Sequence, residues 1–186
     1  MPQFDLIIRG GTIHDGTGAA GRVGDVAVKD GRIAAVGEVA GDGAAEIDAA
    51  GLLVTPGFVD IHTHYDGQVT WESRLSPSSG HGVTTVVMGN CGVGFAPCRP
   101  GQRGMLVKLM EGVEDIPEVV MTEGLPWNWE TFPEYLDALA ARRLDIDVAA
   151  QIPHSALRVY VMGERAARQE APTAADLAAM RGLVTE

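Results

Sequence analysis

Cysteine is scarce in this sequence. Cys91 and Cys98 are the only two among 186 residues, whereas a secreted scaffold of this size held by disulfides carries more. Their spacing, CGVGFAPC, is too long for a redox C-x-x-C pair and unlike a structural zinc knuckle, so each is read singly. Positive charge is also short, with 14 basic against 25 acidic residues and a formal net charge of -11. That balance excludes the basic footprint of a nucleic-acid binder and disfavours attraction to an anionic membrane. No run approaches the roughly 18 apolar residues that span a bilayer. The opening MPQFDLIIRGG has neither the basic start nor the apolar stretch of a signal peptide, so a cytoplasmic protein is expected. Glycine is plentiful, at 24 residues, but it falls at turns and follows no repeat.

Residues 1–55 read as a small, thinly hydrophobic antiparallel β unit. Strands are expected over 4–10, continued by 12–16, and over 24–37, where Asp30-Gly31 makes a tight hairpin turn. Shorter strand pieces follow at 46–48 and 52–54. The pattern changes at Thr55-Pro56-Gly57. Residues 57–64, GFVDIHTH, read as a buried strand. Residues 76–82 read as a short helical turn with Ser76 as N-cap and Pro77 first in the helix. VTTVVMGNC, 83–91, lacks clean alternation, as does a strand covered on both faces. Helices are expected over 102–111, with a stripe of Met105, Leu106, Leu109 and Met110, and over 131–143. In the second, Thr131 and Glu134 match a capping box, Phe132, Leu136 and Leu139 form the apolar face, and Arg142 and Arg143 suit the C-terminal dipole. A strand over 144–152 is stopped by Pro153. A last helix begins at Thr173, boxed by Asp176, with a stripe of Leu177, Met180 and Leu183-Val184.

Strands alternating with helices make an α/β class built from βα units. GNCGVG, residues 89–94, is neither G-x-G-x-x-G nor a P-loop, which disfavours a dinucleotide or nucleotide fold. The remaining parallel-sheet class is the β/α barrel. Only three of its eight strands are present, over residues 56–186, and the sequence stops within a helix. An N-terminal portion of a TIM-like barrel is therefore expected. It is completed by a missing C-terminal part or a complementary chain, or else it self-associates as a homo-oligomer, because an open sheet edge and apolar helix faces cost solubility.

The strand ends carry the chemistry. His62 and His64 are two apart, so on a strand they share a face, and two converging imidazoles suit zinc. Cys91 ends the second strand between glycines that let the backbone turn. It reads either as a thiolate ligand or as an inert buried cysteine. The three side chains are expected within roughly 5 Å of one point, a zinc-sized site. Asp60 and Asp66 flank the histidines. Asp60 either orients an imidazole or accepts backbone N–H bonds. His154, a loop residue just past the third strand, either touches substrate or only bonds its own loop. Ser155 beside it has no further base, so a serine hydrolase is excluded. His14 reads as solvent-facing and His81 and Cys98 as structural. Trp127 and Trp129 either wall a pocket or anchor their loop to the following helix.

TPGFVDIHTHYDGQ and VTTVVMGNCGVGFAPC resemble the N-acyl-D-amino-acid deacylases of the D-aminoacylase type, within the amidohydrolase superfamily. VEDIPEVVMTEGLPWNWETFPEYLDAL and QIPHSALRVYVMGE also resemble this family, and the likeness runs from about residue 5 to the end. H-x-H alone marks the superfamily; GNCG is far more specific. The resemblance implies a zinc-dependent amide hydrolase on a β/α barrel, joined to a small β-sandwich built from both chain ends. It implies metal ligands at His62, His64 and Cys91, the last bridging, with two further histidines and an aspartate base from later strands. No catalytic base is therefore assignable in this segment. The implied reaction releases a carboxylate and a free D-amino acid from an N-acyl-D-amino acid, and Arg158 is a candidate holder of the substrate carboxylate beside His154. Two other readings are a cyclic-amide hydrolase of the hydantoinase kind and a non-catalytic structural fragment. Cys91 stands against the first, because that branch is expected to use a carboxylated lysine and no lysine lies near these strand ends.

Overall fold

Asp30 and Gly31 both take positive φ, 51° and 69°, as a two-residue type I′ hairpin requires. They join β2 (Arg22–Lys29) to β3 (Arg32–Gly37), pairing Lys29 with Arg32. A computed structural model describes residues 2–114 and 116–186 and divides the chain into two units at Gly57–Phe58. In the first, β1 (Phe4–Ile13) is antiparallel to β2, while β4 (Gly43–Asp48) and β5 (Leu53–Val54) both run parallel to β1. The sheet is thus mixed, in the order β3-β2-β1-β4 with β5 also on β1, and not antiparallel throughout as expected.

The reason lies in the link between β3 and β4. It crosses the sheet and buries Val39 on Ile7 and Ala27, which returns the chain to the start of β1. Alternation identifies strands, but it does not say which way a crossover runs. The Arg9 guanidinium pins this link, donating to the carbonyls of Val39 and Gly41, each at 2.8 Å, and pairing with Asp25 and Glu46 at 3.2 and 2.9 Å.

The second unit holds three parallel strands, β6 (Phe58–Asp60), β7 (Val83–Met88) and β8 (Asp147–Ala150), in that order. Each is shorter than the sequence pattern suggests. The strand expected over 57–64 ends at Asp60, whose carboxylate accepts the His62 amide at 3.1 Å and turns the chain out of the sheet. Between β6 and β7 lie only two 3-10 turns, Gln68–Thr70 and Ser78–His81, and the second is capped by Pro77, not Ser76. The first crossover is therefore not a full βα unit.

After β7 come α1 (Arg103–Glu114), α2 (Glu118–Gly124) and α3 (Phe132–Ala140). After β8 come α4 (His154–Met162), α5 (Glu164–Ala167) and α6 (Ala174–Val184). The capping boxes at Thr131/Glu134 and Thr173/Asp176 form as the sequence predicts, each contributing about 1 kcal/mol. On α3 the buried face is Tyr135 and Leu139, with Leu136 left exposed, and the helix ends before Arg142 and Arg143. On α1, Leu106, Val107 and Met110 are buried and Leu109 is exposed.

The unit's core gathers Val86, Met88, Phe95, Leu106, Met110 and Met121 with Trp129 and Tyr135. Burying side chains of this size stabilises by about 1.5–3 kcal/mol each. Trp129 Nε1 donates to the Phe95 carbonyl at 2.9 Å, and its ring packs edge-on against Tyr135 with centroids 5.0 Å apart. Trp127 meets Phe95 edge-on at 5.8 Å. Trp129 therefore anchors the loop onto α3, while Trp127 packs on Phe95. No helix among the described residues is long and apolar enough to cross a membrane.

Two expectations follow from these contacts. Gly89 has φ 81°, and a Cβ there would stand 2.1 Å from the Gln151 carbonyl oxygen. Gly89→Ala is expected to cost about 2–5 kcal/mol in urea unfolding. Gly101→Ala, at a site open to solvent with ordinary φ, should stay within about 0.5 kcal/mol of the parent. The second concerns Asp176. Hydrogen bonds from Arg165 and from the Thr173 amide pull its carboxyl from 3.8 to about 2. Its contribution is complete above the ordinary carboxylate value and is lost as pH falls towards 2. Acid titration of stability should show this loss in the parent, and Asp176→Asn should flatten that part of the curve.

Candidate metal centre

Two short departures from strand geometry build the site. Past β6 the Asp60 turn frees His62, and Thr63 then returns to β7. The Thr63 amide and its hydroxyl both donate to the Val87 carbonyl, at 3.1 and 2.8 Å. Thr63 is buried, His62 is exposed and His64 half-buried. Past β7, Gly89 and Gly92 take φ of 81° and 76°, and between them Cys91 takes φ 53°. A left-handed conformation costs a non-glycine residue about 1–2 kcal/mol, and here it turns the thiol towards the histidines.

His62 Nε2 lies 3.3 Å from Cys91 Sγ, and the two imidazole centroids are 5.5 Å apart. One donor atom from each of His62, His64 and Cys91 lies within 4.8 Å of the others. Tetrahedral zinc with Zn–N about 2.0–2.1 Å and Zn–S about 2.3 Å spaces its donors roughly 3.3–3.6 Å apart. The His62–Cys91 pair already has that spacing, and a gap of 4.8 Å would need to close by about 1.2–1.5 Å. Two imidazoles and a thiolate are a donor set that suits zinc and disfavours magnesium or calcium.

The surroundings of the pair answer the remaining sequence readings. Asp60 receives the backbone amide of His62. Asp66 is buried, its carbonyl accepts the Tyr135 hydroxyl at 2.9 Å, and burial together with the Asp66 charge raises the Tyr135 phenol well above its ordinary range. A Cβ at Gly94 would lie 3.0 Å from Asp66 Oδ1 and 2.7 Å from Pro153 Cγ, so only glycine lets this loop pass.

His154 is not a loop residue as expected. It is the first residue of α4, because Pro153 starts this helix as its N-cap besides ending the segment before it. It sits beside Gly92, where a Cβ would come within 3.4 Å of its own Cβ, but it is outside the three-residue cluster. His154 and Arg158 share a cleft of about 570 Å³ with Met105, Lys108 and Leu109. Arg158 Nη2 donates to the Glu170 carbonyl at 2.9 Å. Cys98 is fully buried, and that burial pushes its thiol up to about 11, so it stays protonated and structural. His14 and His81 are exposed.

Sequence reasoning passed over Asn90, which bonds across the site. Its Nδ2 donates to the carbonyls of Val87 at 2.8 Å and Thr63 at 3.4 Å, and its Oδ1 accepts from Gln151 Nε2 at 3.4 Å. Its place between a turning glycine and the cysteine was the available signal.

With this geometry in view, the chain can be set beside known proteins. The model of the amidohydrolase family matches residues 45–186. A D-aminoacylase of Alcaligenes xylosoxydans xylosoxydans is 40% identical over 185 residues, which are 98% of this chain and 35% of that protein. A D-aminoacylase structure determined to study its binuclear metal centre is 38% identical with a TM-score of 0.76, over 97% of this chain and 35% of that one. The N-acyl-D-glutamate deacylase of Bordetella bronchiseptica, solved with zinc and a phosphonate inhibitor, is 39% identical with a TM-score of 0.73, again over 97% and 35%. The chain thus spans about a third of the length of the relatives it matches. By its matched residues and its α/β fold, it belongs to the amidohydrolase family.

Proposed function

We propose that this chain is the metal-binding part of a zinc-dependent hydrolase that cleaves the amide bond of N-acyl-D-amino acids to a carboxylate and a free D-amino acid. The observation that carries this reading is the convergence of His62, His64 and Cys91 within 4.8 Å, in a chain 40% identical to a D-aminoacylase. These three side chains would hold the metal. A bound zinc supplies Lewis-acid polarisation of the amide carbonyl and a water-derived nucleophile at neutral pH. Three protein donors leave a position on zinc for water or substrate. In a chain that spans only about a third of the relatives it matches, the carboxylate that moves the proton and any further ligands would come from the rest of the whole protein, and the segment alone is expected to be inactive. In that whole protein the three strands of the second unit begin a β/α barrel, and the first unit contributes to a β-sandwich. His154 and Arg158 face the cleft that would take the substrate, with Arg158 exchanging the Glu170 carbonyl for the substrate carboxylate. Two free cysteines suit a reducing compartment such as the cytoplasm.

Zinc content and activity of the full-length protein test the ligand assignment. Cys91→Ala is expected to lower bound zinc and to reduce turnover by about two orders of magnitude, while Cys98→Ala changes neither. Equal zinc and turnover in the parent and Cys91→Ala would remove Cys91 from the site. For the substrate class, paired D and L N-acetyl amino acids should show turnover of the D form. Hydrolysis of cyclic ureides with none of acyclic amides would instead assign a hydantoinase-like reaction.

A further inference from the structure

We propose that Asn90 is a positioning residue of the metal centre: its carboxamide clasps the ends of all three parallel strands and so sets the distance between the histidine pair and Cys91. The inference deepens the metal reading above and rests on it for its consequence, though not for its geometry. Asn90 Nδ2 donates at 2.8 Å to the carbonyl of Val87, near the end of β7, and at 3.4 Å to that of Thr63, the residue between the two histidines. Its Oδ1 accepts from Gln151, just past β8, at 3.4 Å. Two carbonyls on one side and an amide donor on the other leave only one orientation of the Asn90 amide that satisfies every partner.

The Val87 carbonyl is the shared point. It also accepts the Thr63 amide at 3.1 Å and the Thr63 hydroxyl at 2.8 Å. The histidine-bearing segment and the cysteine-bearing turn are thus tied to one oxygen atom from two directions. Cys91 follows Asn90 directly and holds φ 53°, a conformation that relaxes unless its neighbours are fixed. Aspartate is nearly the same shape, but it would turn an acceptor towards two carbonyl oxygens.

The test uses the full-length protein with Co2+ as the probe. Three properties are read: affinity, the thiolate-to-metal charge-transfer band of Cys91, and hydrogen exchange of the peptide holding the Thr63 amide in metal-free protein. Asn90→Ala and Asn90→Asp are each expected to weaken Co2+ binding about 10- to 100-fold and to diminish the charge-transfer band. Both should also speed exchange at Thr63, 27 residues away in sequence. Thr131→Ala, which removes only a helix cap, should lower the thermal midpoint and leave all three properties within about two-fold of the parent. Asn90 variants that behave like Thr131→Ala would make the residue merely structural and overturn the proposal. If the parent binds Co2+ with no thiolate band, it is the metal reading that fails. The clasp is then judged by exchange alone: faster exchange at Thr63 in Asn90→Ala sustains it, and unchanged exchange overturns it.

Discussion

At the C-terminal ends of parallel strands, the backbone carbonyls run out of strand partners and take whatever donors the following loops supply. In this chain the Val87 carbonyl meets three such donors, two from Thr63 and one from Asn90. The rest of the site hangs from that atom. Thr63 carries a histidine on either side of it, and Asn90 carries the cysteine, so the hydrogen bonds that end the sheet also decide where the three candidate donors meet. The arrangement requires no long loop. The H-x-H pair departs from β6 and the N-C-G turn from β7 within four residues of each strand's end, which keeps the chain short and the donors near rigid structure.

The conformation this imposes is held by packing elsewhere. Cys91 occupies a left-handed backbone at a cost of about 1–2 kcal/mol. Gly89 and Gly92 absorb the rest of the turn, and Gly89 lies where any Cβ would strike the Gln151 carbonyl. Downstream, Phe95 is buried and its carbonyl is tied to Trp129, while Tyr135 is tied to the carbonyl of Asp66. These two bonds run from the α3 region to the loops after β6 and β7. The aromatic cluster therefore supports both loops that carry the candidate donors. Burying an aromatic of this size is worth about 3–5 kcal/mol against its truncation to alanine.

Membership of the amidohydrolase family gives this geometry its chemical direction. Two imidazoles and a thiol within 4.8 Å are a donor set that zinc accepts and that leaves coordination open. The relatives matched over a third of their length include a D-aminoacylase with a binuclear metal centre and a deacylase solved with zinc. Cys91, just past β7, offers the cluster a soft donor, and His154, which lines a cleft with Arg158, sits beside Gly92 of the same turn.

The sequence by itself determined what local chemistry decides. Asp30-Gly31 specified its hairpin because both residues tolerate positive φ. Thr131/Glu134 and Thr173/Asp176 specified helix starts because their bonds close within four residues. His62, His64 and Cys91 were legible as candidate ligands from residue type and from their places at apolar runs, and the family likeness sharpened that reading. The two histidines share a side on a turn set by Asp60 and not on the face of a continuing strand. Tertiary structure alone decided the rest. The parallel course of β4 depends on Val39 crossing the sheet, a contact between residues far apart in sequence. His154 became a helix start because Pro153 can open a helix as readily as end a strand. Asn90 was invisible as a clasp because its partners at Thr63 and Gln151 lie 27 and 61 residues away, and no pattern within a strand or turn encodes a hydrogen bond made across three strand ends.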